Sequence, residues 1–235
     1  MGHSTEFVRD ALNSTRLFSG LPDPILDELA PLFVERTYEK EEVIFRQGDE
    51  GEALILVVTG QVRVEKEIMD GRRVTLALRG AGSVLGEMAL LDGSPRSASL
   101  YALERTKGLS LARSAFFRFL TEHGEALQNL VIILVQRLRE SDQKIEDLGS
   151  KTLLQRLAGT LLQLASQEGT AVKQGIELSA TVNYQLLTGL LCTNRESVSR
   201  AIRELRNKDL LEKSGRKFVI CDLQGLADLY ELGED

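Results

Sequence analysis

The feature that most constrains this chain is an apolar seam running from Leu127 to Leu148. Val131, Leu138 and Ile145 fall on one heptad position, and Leu127, Leu134, Ser141 and Leu148 fall on the other. Steps of four and three residues are the period of a two-stranded coiled coil. Gln136, Arg137, Arg139 and Glu140 are left for the flanks and solvent. An amphipathic helix packed on its own domain shows the same spacing over three heptads, so periodicity leaves both readings open. Ser141 tilts the choice. A hydroxyl inside an apolar seam asks for a polar partner, and a bound ligand is one candidate. The stretch reads as a dimer axle with its hinge, residues 124–149, between a first domain at 1–123 and a second at 150–235.

A chain of 235 residues is long enough for two small domains, each with its own core. No apolar run reaches the roughly 18 residues that would cross a bilayer, and no basic-then-apolar leader opens the sequence. Glu6 stands where N-myristoylation after Met1-Gly2 would want Ser or Thr. Cys192 and Cys221 are too few for a disulfide framework or a four-ligand metal site, and neither His3 nor His123 has partners at ligand spacing. A cytoplasmic protein without a metal is expected. The net charge of −6 is unevenly spread. Residues 183–221 hold eight basic side chains against four acidic ones, whereas residues 1–149 hold 18 basic and 24 acidic. An acidic body with one basic end suits a protein that meets a polyanion at that end only.

Taken in order, residues 6–35 read as helical, broken at Ser19-Gly20-Leu21-Pro22, with Ile25, Leu26, Leu29, Leu32 and Phe33 on one face. Short β-rich runs follow at 43–45, 53–58, 62–64, 74–78, 99–103 and 109–111. Turns at Asp49-Glu50-Gly51, Thr59-Gly60 and Asp70-Gly71 punctuate them, a pattern that predicts an antiparallel roll or barrel. Residues 114–120 return to helix. Beyond a hinge at Gly149-Ser150, Leu153, Leu154, Leu157, Leu161, Leu162 and Leu164 form a helix, residues 167–170 a loop and 176–178 a short strand. Helices at 183–191 and 194–207, then strands at 211–213 and 217–220 turning at Ser214-Gly215-Arg216, give the order of a winged helix-turn-helix. The fold class expected is α+β: an antiparallel β-roll, a long dimerisation helix and a C-terminal winged helix-turn-helix.

Two stretches carry chemistry. Around Gly82-Ser83-Val84-Leu85-Gly86-Glu87 a turn leads into one helical turn, whose free N–H groups bind an anion without a charged side chain. Arg96 adds a forked cation for two phosphate oxygens. Glu87 would repel a phosphate but can accept hydrogen bonds from a sugar hydroxyl. Together these describe a site for a nucleotide with one phosphate; a tight turn carrying a surface Glu–Arg pair is the plainer alternative. The second stretch, Thr193-Asn194-Arg195-Glu196-Ser197-Val198-Ser199-Arg200, opens a helix capped by Thr193 or Asn194. Arg195, Glu196 and Arg200 share an exposed face, and Val198, Ala201, Ile202 and Leu205 form the buried one. Arg reads guanine O6 and N7, and Glu accepts from cytosine N4, so the trio suits G and C edges.

Gly86-Glu87-Met88-Ala89-Leu90-Leu91 followed by Gly93-Ser94-Pro95-Arg96-Ser97-Ala98 resembles the phosphate-binding cassette of cyclic-nucleotide-binding domains, with Gly48 and Gly60 at its turn positions. Leu85 stands where that cassette often has an aromatic. The second half resembles the cyclic-AMP receptor/FNR superfamily of bacterial transcription regulators through residues 194–200, Arg156-Leu157-Ala158 and Leu161-Leu162. The resemblance spans about residues 17–222. It implies that Glu87 holds the ribose 2′-hydroxyl and Arg96 the cyclic phosphate, with Gly86, Met88, Ala89, Ser97 and Ala98 completing the site. It also implies that Ser141 and Asp142 lie where the receptor sets two hydroxyl residues against adenine; Asp142 departs from that pattern. Thr193, Asn194, Arg195, Glu196, Ser197, Ser199 and Arg200 would face DNA. A homodimer on TGTGA-like palindromes, cyclic AMP as allosteric effector and RNA polymerase as a partner follow from the resemblance. The FNR branch is disfavoured because its N-terminal cysteines are missing, and the haem-sensing branch because the roll has no ligating His. A regulator active without ligand or with another effector remains an alternative, and a regulatory subunit of a partner enzyme a more distant one. No nucleophile–base set, P-loop or metal-ligand set points to an enzyme.

Overall fold

The structure, a computed structural model, describes residues 4–69 and 71–233. Met1, Gly2, His3 and Asp70, the last expected in a turn with Gly71, lie outside the described residues. The chain divides into two compact units, one up to Arg139 and one from Glu140.

The first unit opens with α1 (Ser4–Asn13) and α2 (Asp23–Leu29), followed by a short 3-10 turn, Ala30–Leu32. It continues through β1 (Phe33–Tyr38), β2 (Val43–Phe45), β3 (Ala53–Thr59), β4 (Val62–Glu67), β5 (Arg73–Arg79) and β6 (Val84–Leu85). Next come α3 (Glu87–Asp92), β7 (Ser99–Ala102), β8 (Thr106–Ala112), α4 (Arg113–Glu122) and the long α5 (Gly124–Ser150). Two antiparallel sheets, ordered β1-β8-β3-β6 and β2-β7-β4-β5, form the expected roll. Leu54 and Leu56 of β3 face a core with Phe18, Phe33, Phe116 and the start of α5, while Ile55 and Val57 face Val62, Leu85 and Leu100 between the sheets. A strand buried on both faces has no polar side, which is why residues 53–58 read as an unbroken apolar run. Phe18 meets Phe33 edge-on at 5.9 Å, closing the helices onto the sheet.

Local pattern failed in three places here. Helix was expected through residue 35, but Phe33 opens β1, paired with Leu111 of β8. The 3–4 spacing of Ile25 to Phe33 is real, yet pairing with β8 satisfies a full ladder of backbone groups that another helical turn would leave without that sheet edge. β6 is two residues long, too short to leave a period. The last strand starts at Thr106, earlier than the apolar run suggested, because Thr106 is buried with its hydroxyl on Glu104 O (2.9 Å).

The second unit holds the end of α5, then α6 (Leu153–Glu168), β9 (Thr170–Val172), β10 (Gly175–Glu177), α7 (Tyr184–Leu190) and α8 (Arg195–Asn207). β11 (Leu211–Ser214), β12 (Lys217–Ile220) and α9 (Leu223–Leu232) complete it. Its sheet runs β11-β12-β10-β9. Gly149 and Ser150, expected as a hinge, are helical. The break falls at Lys151 and Thr152, where Thr152 and Gln155 form a reciprocal capping box that starts α6. Gln167 and Glu168 belong to α6 and Thr170 to β9, so the expected loop at 167–170 shrinks to Gly169. α9 was not anticipated; Asp222 caps it through Gly225 N (2.9 Å), and Leu226 and Leu229 are buried. Among the described residues no helix is long and apolar enough to cross a membrane.

Candidate functional site

In the first unit, β6 delivers the chain to Gly86, whose φ of +86° turns it into α3. Only glycine suits this point: an added Cβ would stand 2.6 Å from Arg96 Nη1 and 2.7 Å from the Phe45 ring. Gly93, φ +72°, ends α3 and releases the loop that carries Arg96. Gly48 and Gly60, at φ of +89° and +88°, are turn residues as expected. The backbone of Arg96 is pinned on both sides, its N–H donating to Asp49 O (2.8 Å) and its carbonyl accepting from Gly48 N (2.9 Å).

Glu87 and Arg96 are 2% and 6% exposed, so the surface-pair reading fails. Arg96 donates to Gly86 O (2.6 Å) and Ala53 O (2.5 Å), and its guanidinium lies 3.8 Å over the Phe45 ring. Burial pushes its pKa down from the usual arginine range, while the charges of Glu87 and Asp49 pull it back up. Of the remaining cassette residues, Ala89 and Ala98 are buried, Gly86 is half-buried, and Met88 and Ser97 are exposed. Ala89 packs on Gly51, where a Cβ would come within 2.7 Å.

Arg137 is the site residue that periodicity missed. The heptad leaves it for the flanks and solvent, but its guanidinium bridges Glu87 Oε1 and the carbonyl of Val84. The pairing was invisible because a heptad tells which face a residue occupies and not what a distant turn brings to that face. Gln136, likewise left for the flanks and solvent, accepts from Arg16.

Along α5, Leu127, Val131, Leu138, Ile145 and Leu148 are exposed within the chain, Ile145 to 68%. Leu134 is half-buried against the first unit's own core. Ile132 and Val135 extend the exposed apolar surface beyond the heptad positions. Ser141 and Asp142 lie on the exposed surface of the same helix.

In the second unit α8 begins as expected. Asn194, not Thr193, is the cap, its Oδ1 accepting from Ser197 N (2.9 Å). Arg195, Glu196 and Arg200 are exposed, and Val198, Ala201, Ile202 and Leu205 are buried. Ser197 and Ser199 are half-buried, and Arg200 Nη2 donates to Ser197 Oγ (3.2 Å). The Tyr184 ring gathers Arg195 at 5.9 Å and Lys213 of the wing at 5.8 Å, a convergence with no sequence signal. Lys217 is paired with Glu177 at 2.5 Å, so the basic end is less positive than its sequence count.

Residues 35–123 match the family described as cyclic nucleotide-binding domain, and residues 155–229 match the Crp-like helix-turn-helix domain. The cyclic AMP receptor protein of Thermus thermophilus is 34% identical over 200 residues, covering 85% of this chain and 89% of that protein. A CRP-like cAMP-activated global transcriptional regulator of Mycobacterium tuberculosis is 24% identical, covering 90% and 94%. Among solved structures, FixK2 from Bradyrhizobium japonicum is similar with a TM-score of 0.74 at 28% identity, covering 84% of this chain and 96% of that one.

Proposed function

This chain belongs to the CRP/FNR family of transcription regulators, and from that premise we propose that it is a cyclic-AMP-responsive, sequence-specific regulator acting as a homodimer. A cyclic nucleotide-binding domain and a DNA-binding helix-turn-helix domain are joined in one polypeptide. The finer reading rests chiefly on the burial of Glu87 and Arg96 on either side of the Gly86 turn. A buried carboxylate and a buried guanidinium are kept in place only when partnered, and they suit a ribose hydroxyl and a phosphate respectively.

In this reading the cyclic phosphate takes Arg96 Nη1 and Nη2 from the carbonyls of Gly86 and Ala53, and the ribose 2′-hydroxyl donates to Glu87 beside Arg137. Ser141 lies one helical turn after Arg137 and, with Asp142, would meet the base. The exposed seam of α5 is then covered by a second copy, which turns two α8 helices toward TGTGA-like half-sites one helical turn apart. Arg195, Glu196 and Arg200 read base edges, while Thr193, Asn194, Ser197 and Ser199 sit at the helix start against the backbone. The ligand shifts the equilibrium only by its differential affinity for two forms, commonly about 1–3 kcal/mol. Such a regulator works in the cytoplasm and recruits RNA polymerase. Asp142 favours a second reading in which another purine nucleotide is the effector, since an acceptor-only carboxylate matches the adjacent N1–H and N2 amino donors of guanine better than adenine's single N6 donor beside its N1 acceptor.

The test is a fluorescence anisotropy titration of a TGTGA-palindrome duplex at fixed salt with no nucleotide, cyclic AMP or cyclic GMP. Tighter binding with cyclic AMP alone supports the first reading. Equal binding in all three overturns effector control and leaves a constitutive regulator.

A further inference from the structure

Lys151 and Thr152 break the helical run between α5 and α6, yet the break is crossed by one side chain from the far end of the chain. The Tyr230 hydroxyl of α9 stands 3.1 Å from both carboxylate oxygens of Asp147, in the last turn of α5. Lys151 Nζ donates to the Tyr230 carbonyl (2.7 Å) and sits 3.9 Å from its ring centroid. Gln155 Nε2, in the first turn of α6, reaches the same carbonyl at 3.5 Å. One turn further, Gly159 leaves room for the ring: a Cβ there would lie 2.6 Å from Tyr230 Cε2. A single residue thus touches the end of α5, the break itself and two turns of α6. Leu226 and Leu229 already bury α9, so anchoring that helix does not require a hydroxyl aimed at α5.

We propose that Tyr230 is a positioning residue that latches α6 to the end of α5, making the break part of a stiff lever instead of a swivel. The latch is a property of the second unit. Its consequence, that a movement of α5 reaches α8 undiminished, rests on the effector-controlled reading above. The charged groups facing the Tyr230 ring and hydroxyl are Asp147 and Glu146 of α5, Lys151 at the break and Glu231 beside it. Burial and the Asp147 carboxylate push the hydroxyl pKa up to about 12, which keeps it a donor at any physiological pH. Asp147 also accepts from Gln143 (3.1 Å), so the latch must be opened from both ends to separate the two bonds.

The experiment uses the full chain as wild type, Tyr230→Phe, Asp147→Ala, the double variant and Gly159→Ala. Backbone hydrogen exchange is read at residues 149–154, alongside melting temperature and duplex affinity with and without cyclic AMP. A charge-assisted hydrogen bond lost at one point predicts exchange about tenfold faster there in each single variant. Because both residues serve one latch, the double variant exchanges no faster than the singles. Gly159→Ala displaces the ring and does the same with Tyr230 intact. The cyclic-AMP-induced gain in duplex affinity falls about threefold or more in each, with cyclic AMP affinity unchanged and the melting midpoint lowered by no more than about 6 °C. Unaltered exchange in Tyr230→Phe, or additive effects in the double variant, overturns the latch. Faster exchange with an undiminished gain overturns the lever. If wild type itself shows no gain, the effector reading has failed and the exchange data still decide the latch.

Discussion

Removing Arg137 strands a carboxylate. Glu87 is 2% exposed, and the Arg137 side chain that pairs with it is itself only 23% exposed, so water does not replace the lost cation cheaply. Breaking a buried pair from one side costs about 3–5 kcal/mol. The low end applies here, about 3 kcal/mol, because Arg96 leaves a second positive charge near Glu87. At about 2–4 °C per kcal/mol, Arg137→Ala should lower the melting midpoint by roughly 6–12 °C in nucleotide-free protein, read by calorimetry. Glu87→Gln in the same chain removes the stranded charge and should recover part of that loss, the remainder reflecting the bond to the Val84 carbonyl. A midpoint within about 1 °C of wild type for Arg137→Ala would refute the reasoning. So would a double variant less stable than the single one.

Gly86→Ala forces a φ of +86° on an L-residue, costing about 1–2 kcal/mol, and drives its Cβ into Arg96 Nη1; calorimetry should show cyclic AMP binding weakened at least tenfold. Ile145→Glu places a charge on the most exposed apolar seam position, so on the proposed homodimer sedimentation should shift from dimer to monomer at micromolar concentration. For Tyr230 the folded pKa of about 12 lies above the ordinary tyrosine value of 10.0, so the folded state holds the proton more tightly. Its contribution is complete below pH 10 and is lost as pH rises toward 12. Wild-type stability should fall across that window in chemical denaturation, and the fall should be smaller in Tyr230→Phe.

The sequence by itself determined the elements whose pattern is local. A cap at Thr193 or Asn194, the buried face of α8, the Gly86 turn and the apolar β3 each follow from side-chain type and spacing over a few residues, the choice of Asn194 being left to the structure. The same holds for the roll followed by a helix and a winged helix-turn-helix, since turn residues and periodicity are written within each segment. Tertiary structure alone decided where distant segments meet. Phe33 became strand because β8 offered it a ladder, and Thr106 joined that strand because the core closed over it. Arg137 left the solvent because β6 brought Glu87 to it, and Tyr230 found Asp147 and Lys151 across some eighty residues of chain. Periodicity encodes which side of an element is apolar; it carries no record of the partner on the other side. Charged pairs depend on that partner, because their worth is set by how much water the fold excludes around them.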